Sequence, residues 1–182
     1  MEQEMYVDET IRMATEYYAS GRVAVASGML TMCGNLFHHA FELIMKAALM
    51  RKIDVNAADP LYKHDLPRLW NDLKKHYSVN DIRFNTIAEV IHKFENLRYP
   101  DRYLNDYMQI SVVGMEKSEI VARFGANPGM HIVLNVDQLE EWWFFVHNVS
   151  GFNWKCYLDA IRPPARDFYL GSFDSQVGQV TP

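Results

Sequence analysis

The stretch from Asn35 to Met50, NLFHHAFELIMKAALM, constrains the fold more than any other part of the chain. It reads as a helix that is apolar over most of its circumference and polar along one seam. Leu36, Ala40, Leu43, Ile44, Ala47 and Ala48 recur at three- and four-residue intervals, so they share a face that must be buried against other helices. A helix of this kind requires a bundle around it. On another side His38, Glu42 and Lys46 fall at successive i,i+4 steps, stacked along one stripe, with Glu42 and Lys46 in the favourable acid-before-base order. Left exposed, such a pair contributes only about 0.2–0.5 kcal/mol and is ordinary helix surface. What the rest of the chain brings to the stripe decides its meaning.

The remaining elements follow from the same periodicity. Val7, Ile11, Ala14 and Tyr18 make a first helical stripe that should stop near Ser20-Gly21, and a second helix is expected from about Arg22 to Arg51. Gly28 and Gly34 inside it would kink it or admit a close neighbour. Residues 54–63 read as a loop around Pro60. Asp65 is a good N-cap with Pro67 tolerated in the first turn, and Leu66, Leu69, Trp70, Leu73 and Tyr77 mark an amphipathic third helix. Phe84, Ile87, Ile91 and Phe94 carry a fourth, which must end near Leu97 because Pro100 pushes Tyr99 out of the α region. Alternation then replaces the helical period at Met108, Ile110 and Val112, at Val121 to Phe124 and at Met130 to Leu134, the last two separated by Ala126-Asn127-Pro128-Gly129. Asp137 to Glu140 has the form of a capping box opening a last helix with Leu139, Trp142, Trp143, Val146 and Val149, extending towards Ile161 and weak at Asn148 to Asn153. The run Trp142-Trp143-Phe144-Phe145 places this helix either centrally in the bundle or on a dimer face.

These readings give a mainly α protein: an up-and-down bundle of about five helices with a small β-hairpin inserted at about 106–135 before the last helix. One domain is expected over residues 1–162, because 182 residues at 49% hydrophobic content support a single core, with an extended or disordered tail over 163–182. The net charge of −5 argues against a general electrostatic grip on nucleic acid, though not against a local basic patch. Cys33 and Cys156 have no CxxC partner and read as small apolar residues of a reducing compartment. The opening MEQEMYVDET has no basic segment followed by an apolar run, and no apolar stretch is long enough to span a bilayer. The expectation is a cytoplasmic protein without membrane contact.

Three segments together carry a resemblance: AFELIMKAAL in the second helix, KHDLPRLWNDL opening the third and ENLRYPD ending the fourth. Over roughly Met5 to Arg102 plus the final helix, the chain resembles the HEPN family. The resemblance implies an all-α bundle that dimerises, and a metal-independent ribonuclease or a nucleotide-binding role in toxin–antitoxin, stress or defence systems, often beside a small nucleotidyltransferase. Catalytic members carry an Arg, a gap of four to six residues, and a His, a proton acceptor with a pKa near 7 beside a cation for the developing phosphorane charge. Here the sequence departs from the family. After Arg98 the positions are Tyr103, Leu104 and Asn105, and after Arg102 they are Tyr107, Met108 and Gln109. The nearest alternatives, Arg68 with His76 and Arg123 with His131, are each one residue too long.

The candidate ligand-binding residues are therefore Glu42, Lys46, His64, Arg98, Tyr99 and Arg102, with no catalytic residue assigned. His64 is either a packing residue at a helix start or a group facing the Glu42–Lys46 seam, and Arg98 either an internal partner of Glu42 or a ligand-binding cation. A bundle metal site would show Glu-x-x-His pairs on two helices, and only Glu89 with His92 supplies one, so neither metal nor cofactor is expected. Glycine-rich phosphate loops and nucleophile elbows are absent. Two function classes remain: a dimeric RNA- or nucleotide-binding domain, and a non-catalytic interaction module that uses its aromatic last helix and tail.

Overall fold

The computed structural model describes residues 2–53, 64–95, 109–113, 131–155, 157, 161–163 and 166. Helix α1 spans Glu2–Ala26 and α2 spans Leu30–Met50. The first helix thus continues past Ser20-Gly21, where a stop was expected. Gly21 serves a different purpose: a Cβ there would lie 2.8 Å from Phe37 Cε1, so its missing side chain lets α2 approach. The break falls at Gly28, which takes the left-handed φ of +71°. Met29 N–H then donates to Ala24 O at 2.9 Å and Gly28 N–H to Val25 O at 3.0 Å, closing the helix end in Schellman fashion.

From that turn α2 folds back along α1 and becomes the hub, contacting α1 and the three helices that follow. Its buried face is broader than the sequence stripe. Phe37, Phe41, Ile44, Met45 and Ala48 are buried, whereas Leu36 and Leu43 are only partly so. Gly34 sits beneath Phe94, where a Cβ would fall 1.9 Å from the ring.

Helix α3 covers Leu66–His76 and α4 covers Asn85–Lys93. Asp65 caps α3 as expected, its side chain accepting from Arg68 N–H at 3.1 Å with Pro67 in the first turn. Trp70 Nε1 donates to Asn85 Oδ1 at 2.9 Å, tying α3 to the start of α4.

The small β element precedes the last helix, as expected, but it is not a hairpin. Strand β1, Gln109–Val113, pairs in parallel with β2, His131–Asn135, with Ile110 opposite Ile132 and Val112 opposite Leu134. Parallel strands need a long crossover rather than a tight turn, and residues 114–130 intervene. The expected strand at 121–124 and turn at 126–129 lie outside the described residues.

β2 runs directly into α5, Val136–Ser150. Its cap is Asn135, accepting from Gln138 N–H at 3.1 Å, rather than Asp137. Glu140, expected in a capping box, is instead buried and paired with Arg22. Gly151, at φ +67°, ends the helix, with Phe152 N–H on His147 O, well before Ile161. Trp142 and Trp143 are fully buried, so α5 is central. Trp142 stacks on Phe41 at 4.0 Å, Trp143 on Tyr18 at 4.3 Å, and Trp70 meets Trp142 edge-on at 5.7 Å. Among the described residues no helix is long and apolar enough to cross a membrane.

Candidate functional site

The polar seam of α2 faces the start of α3 and the end of α4. Glu42, only 4% exposed, is its centre. Its Oε1 accepts from Lys46 Nζ at 2.6 Å, and its Oε2 lies 2.9 Å from His64 Nδ1. His39 Nδ1 and His38 Nδ1 stand 3.6 and 4.0 Å from the same oxygen. The solvated helix edge that the i,i+4 spacing allowed is thus excluded; this is a buried carboxylate with partners on α2 and on the turn into α3.

Local sequence explains the convergence. The Asp65 cap fixes the turn into α3, and that turn places both His64's ring and its carbonyl against α2. The carbonyl accepts from His38 Nε2 at 3.2 Å. From the other side, Glu95, just past α4, brings Oε2 to 3.4 Å from His38 Nδ1, and the His92 ring lies 5.9 Å from that of His38.

Electrostatics fix the protonation. Burial by itself raises the Glu42 carboxyl, but hydrogen bonds from His39, His64 and Lys46 outweigh it and hold the group at about 2. Glu42 is therefore an anion at neutral pH, and His64 Nδ1 must be the donor of their bond. Its Nε2 takes no hydrogen bond among the described residues, on a side chain 49% exposed. Burial pushes His38 down to about 3, the Glu42 charge opposing this only in part. His38 is neutral, with its single proton on the Nε2 that faces a carbonyl.

Of the residues the sequence singled out, Glu42, Lys46 and His64 meet here, while Arg98, Tyr99 and Arg102 lie outside the described residues. Sequence reasoning passed over His39 and Glu95. The signals were present as His39-x-x-Glu42 and His92-x-x-Glu95, but i,i+3 pairs of these residue types are too common on helices to stand out. The donor atoms of His38, His39 and Glu42 all lie within 4.8 Å of one another, close enough to share a cation.

Comparisons with curated proteins and with solved structures found no match. A family model does match, and its extent coincides with the helices that build the seam. It is the HEPN domain, over residues 7–123, taking in the polar stripe of α2, the His64 entry to α3 and the exit from α4. On that match the chain belongs to the HEPN domain family.

Proposed function

We propose that the protein binds RNA or a nucleotide at the mouth of the seam, where His64 and Lys46 present nitrogen groups held by a buried anion. One observation carries this reading: the Glu42–His64 hydrogen bond of 2.9 Å, by which a carboxylate excluded from water orients an imidazole half exposed to it. An imidazole so held has one tautomer and one aim, and its second nitrogen can exchange a proton or a hydrogen bond with a phosphate or a ribose hydroxyl. Arg98 and Arg102 would supply the phosphate contacts, Arg by its planar fork, and Tyr99 a face for a base.

Family membership supports a homodimeric form and a toxin–antitoxin or defence setting, with a nucleotidyltransferase as the expected protein partner. The sequence lacks the Arg-gap-His pair at Arg98 and Arg102, so binding is the function proposed and cleavage is left to the test. The burial of Trp142 and Trp143 weighs against an interaction module built on the aromatic helix.

The test is titration of a labelled RNA oligonucleotide and of nucleotides, read by anisotropy, with the Arg98→Ala and His64→Ala variants, beside a gel assay with and without EDTA. Both substitutions should weaken binding by about tenfold or more while the melting temperature holds. Wild-type protein without affinity for either ligand would overturn the reading. A large loss of melting temperature in Arg98→Ala would make that residue structural instead.

A further inference from the structure

His38 is a part of the seam that RNA binding does not use. It is wholly buried, and its Nε2–H donates to the His64 carbonyl. Metal-ligating histidines are held in this way, the second ring nitrogen bound to a carbonyl so that tautomer and aim are fixed. The remaining lone pair, on Nδ1, points inward and takes no hydrogen bond among the described residues. Buried acceptors without a partner are rare in folded proteins, and each calls for a donor or a cation.

The groups around that nitrogen are two carboxylate oxygens and His39, which donates to Glu42 and would offer its Nδ1 to an ion on shifting that proton to Nε2. Glu95 Oε2 lies at 3.4 Å and Glu42 Oε2 at 4.0 Å, and His39 Nδ1 stands 3.6 Å from the Glu42 oxygen. Ligand atoms about 2.0–2.1 Å from a tetrahedral zinc ion stand about 3.3 Å apart, so the spacings of 3.6 and 4.0 Å, with all three groups within 4.8 Å of one another, are those of an open site that draws in as it takes the ion. We propose that His38 Nδ1, His39 Nδ1 and Glu42 Oε2 bind one divalent transition-metal ion, with Glu95 the nearest fourth donor. Two imidazoles with a carboxylate suit zinc, cobalt or nickel better than magnesium or calcium, which prefer all-oxygen sets. Lys46 bonds Oε1, and Oε2, which accepts from His64 Nδ1 at 2.9 Å, keeps a second lone pair for the ion. His39, a quarter exposed, gives the ion its way in. A bound ion would fasten α2 to the end of α4 through Glu95.

Metal binding is separable from RNA binding, because occupancy is read on the metal itself. The whole chain, stripped with a chelator and dialysed free of it, is titrated with Co²⁺ and then with Zn²⁺. One Co²⁺ per chain, with the intense visible bands of a four-coordinate ion and displacement by Zn²⁺, is the expected result. His39→Ala should weaken binding by about tenfold or more at unchanged helical circular dichroism, and His38→Gln should abolish the bands. If His38→Gln fails to fold, His39→Ala decides. Absence of bound metal at millimolar Co²⁺ overturns the proposal, and so does wild-type affinity in His39→Ala, which would place the ion on other histidines.

Discussion

On one side of α2, Phe37 and Phe41 meet Tyr18, Trp142 and Trp143; on the other, His38 and Glu42 meet His64, Lys46 and Glu95. Both sides exclude water, by different means. The aromatic side is held by apolar burial and dispersion, which reward any close fit and ask little of direction. The polar side is held by hydrogen bonds and charge, which turn unfavourable when one partner is withdrawn and the other stays buried. Truncation on the aromatic side should therefore cost the most stability, and the seam is where ligand binding is proposed.

The largest expected effect lies on the aromatic side. Trp142→Ala removes a ring packed against Phe41, Trp70 and Phe84, and should destabilise the protein by about 3–5 kcal/mol in denaturant unfolding. A loss below about 1 kcal/mol would show that the stack is not the centre of the core. Next comes the junction of the two sides. Gly34→Ala would normally gain helix propensity, but here the new methyl group meets Phe94, the neighbour of Glu95, so a loss of about 1–3 kcal/mol is expected. A rise in melting temperature would mean that Phe94 is free to move.

His147 tests the aromatic side by pH. It is fully buried among Trp143 and Phe152, with neither ring nitrogen hydrogen-bonded among the described residues, and burial lowers it to about 3. Its folded pKa lies below its unfolded one, so the unfolded chain binds the extra proton. Its contribution is fully present above about 6.5 and is lost as pH falls towards 3. His147→Leu should flatten the melting temperature over that window, and an unchanged acid limb would assign the sensitivity elsewhere. The smallest effect is at the entry to α3. Asp65→Ala should cost about 1 kcal/mol by removing the cap, and should weaken RNA binding as well, since the same turn aims His64. A stability loss with unaltered RNA affinity would separate cap from site.

Helix content was legible because hydrophobic periodicity is local. Leu66, Leu69, Trp70 and Leu73 announced α3, and Asp65 its start. Glycines were less legible. Gly21 and Gly28 look alike in sequence, yet one makes room for Phe37 and the other ends α1, and only the position of α2 tells them apart. The β segment showed its alternation at Ile110 and Val112, but alternation is silent about strand direction.

What the sequence by itself determined is the set of faces: an apolar α2 with a His38–Glu42–Lys46 stripe, a capped α3, and a family pattern spread over three helices. These depend on side chains a few residues apart, whose relation the helix fixes. The tertiary structure decided which distant groups meet the stripe. His64 is 22 residues from Glu42 and its carbonyl 26 from His38, and Glu95 reaches the same histidine from beyond α4. Those encounters are set by how the helices pack, and packing answers to the whole core rather than to any one stretch of chain.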